Sequence, residues 1–204
     1  MKVGYLIQQS GGYKAFVPER FPPVEGFHFS TKLIQKASQA TLLLGKLDGI
    51  TQLLPDVDFF LFMYIRKDAA SSSEIEGTQA TMIDAIEAEA GTSDKLPEDV
   101  NDILHYIKAL NYGLKRLKDF PLSNRFLCEL HKELMKKARS SHFADPGNFR
   151  KSQNWIGGTA PGNAHFVPPP PQELPRALAD LEQFFHAQDD LPPILKAGII
   201  HVHF

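Results

Sequence analysis

The stretch SSSEIEGT, residues 71–78, places two carboxylates where a helix is predicted to end. A long apolar run precedes it, and Gly77 has the backbone freedom to end a helix in the left-handed conformation. Glu74 and Glu76 would then lie in the last turn, where the helix dipole disfavours an anion by roughly 0.3–1 kcal/mol. Both carboxylates could be solvated, or Ser73 and Glu76 could form a capping box, although a glycine directly after the glutamate argues against a helix start there. The functional alternative is that one carboxylate meets a cation from elsewhere, above all an arginine.

The other residues of chemical interest are weaker candidates. On a helix, His201 and His203 point about 200° apart and cannot share a metal ion. On a strand they would form an H-x-H pair, but no third ligand stands nearby, so we predict no metal site. His131 lies on an apolar helix face and is interpreted as a core histidine, and Trp155 as a packing residue of a hairpin.

The bulk composition is that of an ordinary globular protein. The chain has 204 residues, of which 43% are hydrophobic and 23% charged, with a formal net charge of -2. This composition excludes global disorder and does not favour nonspecific nucleic-acid binding, because no strong basic field exists. One cysteine, Cys128, excludes an internal disulfide. We read no signal peptide, and the longest apolar run, residues 59–65, is too short to span a bilayer, so a cytoplasmic location without membrane attachment is expected.

The elements that must position these residues are mostly helical. Residues 1–27 alternate prolines and aromatics without helical period and are predicted to form an extended arm. Helices are predicted from Ser30, over residues 59–70 as an apolar core element, after Thr81 and Asp84, over residues 100–118, after Ser123, from Leu174 and from Pro192. Between them, QNWI and AHFV flank GGTAPGN, which predicts a β-hairpin with a long turn that ends in the polyproline run PPPP.

Two separate segments resemble the Fic family in the family's order. Ser72-x-x-x-Glu76-Gly77 is similar to the [S/T]-x-x-x-E-[G/N] motif of the Fic inhibitory helix, and GNFRKSQNWIGGTAPGNAHFVPPPP is similar to the segment that contains the Fic substrate-binding flap. LGKLDGI…LLPD, residues 44–56, resembles the Fic N-terminal domain. The resemblance implies a mostly α, Fic-like helical bundle with one β-hairpin, the flap. It also implies an N-terminal arm and helical domain over residues 1–95 and a Fic domain over residues 96–204.

The resemblance implies an enzyme that transfers AMP from ATP, with Mg²⁺, to a hydroxyl side chain (Ser, Thr or Tyr) of a target protein. The family's catalytic motif H-P-F-x-[D/E]-G-N-G-R-x-x-R does not occur in the 204 residues. We therefore name no catalytic residue, expect the chain to be truncated before that motif, and expect it to be inactive alone. ATP and Mg²⁺ are expected to bind only together with the catalytic segment. The alternative is a non-catalytic binding or inhibitor module related to Fic proteins. A homodimer is left open.

The same resemblance implies roles for residues that are present. Glu76, supported by Ser72 and Gly77, would be the inhibitory glutamate and pair with the second arginine of the motif, which otherwise holds the γ-phosphate of ATP. His203 would lie near the nucleotide, with a packing role as the alternative. The flap that aligns an extended target segment would include Gln153, Ile156, Gly157, Gly158, His165, Phe166 and Val167.

Overall fold

The computed structural model describes residues 3–75, 77, 79–92, 97, 99–136 and 145–204. Contacts within it divide the chain into two compact units. The first unit combines residues 1–45 with residues 149–204, and the second comprises residues 46–148. Each unit is described by itself below.

The described chain is mostly helical, as predicted, and contains a small antiparallel hairpin. No helix within the described residues is long and apolar enough to cross a membrane. The elements in chain order are β1 (Gly4–Gln8), β2 (Lys14–Pro18), α1 (Thr31–Thr51), α2 (Val57–Ile75), α3 (Met82–Ala90), α4 (Val100–Arg116), α5 (Asn124–Leu134), a 3-10 turn (Pro161–Asn163), α6 (Leu174–His186) and α7 (Pro193–His203).

Local capping fixes most of the helix starts. The Ser30 hydroxyl accepts a hydrogen bond from the Leu33 amide at the start of α1. Thr81 and Asp84 form the predicted reciprocal capping box of α3, which also holds the pKa of the Asp84 carboxyl below its ordinary value. Ser123 caps α5 as predicted. These contacts span only three residues, which is why the sequence alone predicts them.

The core of the second unit lies where α2, α3 and α4 meet. The apolar face of α4 supplies the buried residues Val100, Ile103 and Ile107, as the three- and four-residue spacing of apolar residues in this helix predicts. The other two helices contribute small residues at this point, which lets the three helices approach closely. They are Ala69 of α2, Ala85 of α3 and Ala80 just before α3.

The prediction that residues 59–70 form a core element is wrong for the first half of α2. Phe59 is 62% exposed and Tyr64 is 55% exposed, whereas the buried residues of the helix are Arg66 and Ala69. Arg66 is buried because its guanidinium pairs with Glu89 of α3, donates to the Phe62 carbonyl and stacks over the Phe62 ring. An apolar run predicts a helix with an apolar surface, but it does not predict which turn of that helix packs against the core.

The first unit contains the two-stranded sheet. The segment predicted as an extended arm folds into β1 and β2, which pair antiparallel around the Gln9–Gly12 turn with Leu6 opposite Phe16. The predicted hairpin at residues 153–167 forms without a strand ladder, through an isolated bridge between Ile156 and Phe166. Its exit runs beside β2, where the Phe16 amide donates to the Val167 carbonyl at 2.9 Å.

Candidate functional site

The C-terminal half of α2 is attached to α4 through a side-chain hydrogen bond. The Tyr106 hydroxyl of α4 donates to the Asp68 carboxylate of α2 at 3.0 Å. This bond links α2 to α4 one helical turn before Ser72. The role predicted for Ser72, support of the inhibitory glutamate, stays a prediction.

The electrostatics of Tyr106 follow from this arrangement. Partial burial of the ring, together with the hydrogen bond to Asp68 and the negative charge of that carboxylate, raises the pKa of Tyr106 above its ordinary value, and Ser72 opposes the shift. A raised pKa keeps the phenol protonated, and a protonated phenol is the form that can donate to Asp68.

The segment that follows α2 has a second attachment to α4. Gly77 has φ +93 and its amide donates to the Glu74 carbonyl at 3.0 Å, so the chain leaves the helix through the positive-φ residue predicted from the sequence. Two residues later, the Gln79 amide donates to the Asp99 carboxylate at 2.5 Å. Asp99 is only 8% exposed and makes no capping bond to its own helix. The carboxylate therefore serves the backbone after α2.

Of the two glutamates of SSSEIEGT, the structure describes Glu74. Glu74 is exposed and forms no ion pair with the described residues, which agrees with a solvated carboxylate. Glu76, the predicted inhibitory residue, lies outside the described residues, and its role stays a prediction. On either side of it, Asp68 accepts a hydrogen bond from Tyr106, and the Gln79 amide donates one to Asp99.

The flap, residues 153–167, turns at two glycines. Ile156 exchanges backbone hydrogen bonds with Phe166 and accepts another from the His165 amide. Gly157 has φ +71, and a Cβ there would stand 2.1 Å from His165 Cδ2. Gly158 has φ +69, and a Cβ there would stand 2.5 Å from the Asn163 carbonyl oxygen. Both positions therefore require glycine.

The entry and exit of the flap are also held by named contacts. The Gln153 side-chain amide donates to the carbonyls of Asn154, at 3.0 Å, and Pro168, at 2.9 Å. Val167 is buried, and its carbonyl accepts from Phe16. Ile156 and Trp155 are 63% and 41% exposed, so the entry side of the flap faces solvent.

His203 lies at the end of α7 among aromatic side chains. Its ring stacks on Phe21 with centroids 3.9 Å apart and planes at 19°. Burial lowers the pKa of His203, while a hydrogen bond to the Ala177 backbone and the charge of Asp180 oppose that shift. These contacts describe a packing histidine, and the predicted proximity to a nucleotide stays a prediction. His131 likewise has a structural partner, because its Nδ1 accepts from the Gly147 amide at 3.1 Å.

Two family models match the chain. The Fic/DOC family N-terminal model matches residues 34–115, and the Fic/DOC family model matches residues 121–204. The two matches follow one another and cover most of the sequence. The chain belongs to the Fic/DOC family.

The Fic matches divide the candidate residues into two groups. The end of α2 with Ser72 and Gly77, and its partners Tyr106 and Asp99, lie within the N-terminal match. The flap and His203 lie within the second match, from Gln153 of the flap onward. The two matches meet between residues 115 and 121, and the predicted division at residue 95 stays a prediction.

The residues that carry the α2 attachment were not found by sequence reasoning. Asp68 lies four residues before Ser72, and Tyr106 lies three residues after the buried Ile103, so the spacing gives a weak indication of where each side chain lies. Nothing in the sequence indicates that these two residues, 38 positions apart, form a hydrogen bond. No group of three or more metal-ligating side chains gathers within the part of the chain that the structure describes, so no Mg²⁺ ligand is assigned to this chain.

Proposed function

We propose that the protein acts in Fic-type adenylylation, in which AMP passes from ATP to a hydroxyl side chain of a target protein. The hydroxyl oxygen bonds to the α-phosphorus, the bond to pyrophosphate breaks, and the hydroxyl proton passes to a general base. The membership of the Fic/DOC family supports a transfer of this class. The motif that supplies the base, the Mg²⁺-binding acid and the phosphate loop does not occur in these 204 residues. The roles that we propose for the residues present are regulation and target alignment.

The regulatory part of the proposal assigns Glu76 as an inhibitory carboxylate that occupies the second arginine of the catalytic motif. The observation that carries it is the attachment of the chain on both sides of Glu76, at Asp68 through Tyr106 and at Gln79 through Asp99. A carboxylate on an ordered backbone loses less conformational freedom when it pairs than one on a mobile segment. The Arg–carboxylate bond is charge-assisted and often bidentate, so it competes directly with a γ-phosphate.

The target-alignment part of the proposal assigns the flap as the surface for an extended target segment. The exposed entry side at Trp155 and Ile156 supports it, because an open hairpin edge binds extended chains through main-chain hydrogen bonds. Such pairing places a target hydroxyl without demanding a strict target sequence. Target identity then rests on side chains beside the modified residue.

The experiment that tests the reaction class compares two labelled forms of ATP. A protein that joins this chain to the H-P-F-x-[D/E]-G-N-G-R-x-x-R segment is incubated with Mg²⁺, a lysate, and ATP labelled at either the α- or the γ-phosphate. Adenylylation retains the α-label on protein and releases the γ-label. Retention of the γ-label alone would show phosphoryl transfer and overturn the proposal.

A non-catalytic binding module is the second candidate, and the observation that favours it is that the phosphate-loop motif does not occur among the 204 residues. The test is calorimetric titration of the 204-residue chain with ATP and Mg²⁺, followed by labelling with α-labelled ATP. We expect negligible affinity and no labelling above background for this chain. Labelling above background would show that these residues contain an active site of their own.

A further inference from the structure

Six consecutive carbonyls after the flap turn all accept hydrogen bonds. The segment concerned is the exit limb, defined here as residues 165–171, and its counterpart is the entry limb, residues 153–157. The donors come from five places in the first unit. In order from residue 166 to residue 171, the donors are the Ile156 amide (2.8 Å), the Phe16 amide (2.9 Å), the Gln153 side-chain amide (2.9 Å), the Arg150 guanidinium, the Glu173 amide (2.9 Å) and the Leu174 amide (3.3 Å).

The middle of this series cannot form an ordinary strand ladder. Proline has no N–H, so Pro168 and Pro169 accept hydrogen bonds but cannot return them. In an antiparallel pair, the carbonyls of one strand receive backbone amides of the other. At these two prolines side chains take that place: Gln153 reaches Pro168, and Arg150 reaches Pro169.

The environment of Arg150 indicates that this contact is specific. Within the described residues, its partners are the carbonyls of Ser152, at 3.0 Å, and Pro169, with no carboxylate among them. Burial lowers the pKa of Arg150. A partly buried guanidinium without an anion must have its N–H groups satisfied by dipoles. The planar fork of Arg150 binds the carbonyl of Ser152, directly before the entry limb, and that of Pro169 in the exit limb.

Gln153 is fixed in one orientation for the same reason. Its Nε2 donates to two carbonyls, and turning the amide over would place Oε1 against both of them. In the present orientation the buried Oε1 has no hydrogen-bond partner within the described residues. The orientation of the side-chain amide therefore directs both of its donors to backbone carbonyls.

We propose that Arg150 and Gln153 are positioning residues of the flap, which supply the donors that the proline run lacks and thereby hold the exit limb against the entry limb. The proposal rests on the proposed function only in taking the flap as the target-binding surface.

A consequence of this arrangement concerns which edge of the flap stays open. β2 covers the exit limb at Phe16. On the entry limb, Ile156 points its N–H and C=O towards the exit limb. Because these backbone groups alternate in direction along a strand, the N–H and C=O of Trp155 point to the outer edge. The entry limb is therefore the edge that pairs with an extended target.

The test is amide hydrogen exchange of the 204-residue chain, measured residue by residue by NMR. Gln153→Glu replaces the donor NH₂ with an oxygen of almost the same size, and Arg150→Met removes the donors but keeps the stem. Each variant is expected to raise the exchange rates of the Ile156 and Phe166 amides about ten-fold, because charge-assisted or buried hydrogen bonds are lost. The Phe184 amide of α6 is expected to keep its rate.

Two further variants make the result specific. Gln172→Glu makes the same chemical change at an exposed position and is expected to leave flap exchange unchanged. Arg150→Lys keeps a cationic donor without the fork and is expected to give a smaller increase than Arg150→Met. Unchanged exchange at Ile156 and Phe166 would overturn the proposal. An equal increase at Phe184 would also overturn it, because the side chains would then stabilise the whole unit. Neither outcome involves ATP or AMP transfer, so it is separate from a failure of the proposed function.

Discussion

Replacing Tyr106 with phenylalanine tests the attachment of α2 to α4 with the removal of one oxygen atom. The variant loses the donor to Asp68 at 3.0 Å while the ring stays against the core. A hydrogen bond to a charged group contributes about 1.5–3 kcal/mol, but this one is exposed and water replaces part of it. We therefore expect the free energy of unfolding to fall by about 1 kcal/mol, and the local opening rate at the end of α2 to rise about five-fold.

The assay has two parts and a matched control. Urea unfolding gives the change in stability, and hydrogen exchange at residues 72–75 gives the local opening. Tyr64→Phe removes the same atom from an exposed tyrosine of α2 whose hydroxyl has no hydrogen-bond partner among the described residues. That variant is expected to stay within about 0.5 kcal/mol of the parent protein. A double-mutant cycle with Asp68→Ala should show coupling, since the Asp68 carboxylate accepts from the Tyr106 hydroxyl.

Equal stability of the Tyr106→Phe and Tyr64→Phe proteins would refute this reasoning. The same holds if exchange at residues 72–75 does not change while the core amides exchange faster, because the hydroxyl would then support the unit as a whole. In either case Tyr106 would not hold the end of α2.

Two further predictions concern the first unit. Gly157→Ala should destabilise the flap by about 1 kcal/mol or more, seen as lost protection of the Ile156 amide, because its Cβ would stand 2.1 Å from His165 at φ +71; Gly162→Ala, with open space around it, should leave the protection unchanged. His203 has a pKa lowered by burial, so its contribution to stability is complete above about pH 6.5 and is lost as the pH falls through the lower folded-state pKa. Urea midpoints between pH 7.5 and 5 should therefore fall less in His203→Phe than in the parent protein or in the control His201→Phe; an equal fall in all three would contradict this.

The sequence predicts what short-range contacts decide. The caps at Ser30, Thr81 and Ser123 each involve residues three apart, and the positive φ of Gly77 follows from its place after a helical run. The buried face of α4 follows from its spacing, because apolar residues three and four apart share one helix face. These features are present in the structure as predicted.

The contacts that order the candidate site join distant parts of the chain, and local sequence patterns do not predict them. Asp99 reads as a helix-start residue, yet its carboxylate binds the Gln79 amide. The N-terminal residues read as an arm because prolines surround them, yet β2 pairs with β1 and reaches the flap at Val167. The apolar start of α2 reads as core, yet Phe59 is exposed, because a pattern of side chains does not identify the surface that covers them.

We propose that Glu76 restrains AMP transfer, and the Glu76→Gly variant is the test of this role. In a protein that contains this chain together with the catalytic motif, loss of an Arg–carboxylate contact of a few kcal/mol should raise AMP transfer ten-fold to several hundred-fold, since about 1.4 kcal/mol is one decade in rate. Glu74→Gly, at an exposed carboxylate two residues away, is the control and should change the rate little. Each glycine costs up to about 1 kcal/mol near a helix end, so folding is verified first by circular dichroism. A Glu76→Gly protein that folds and transfers AMP no faster than the parent would contradict the inhibitory role of Glu76.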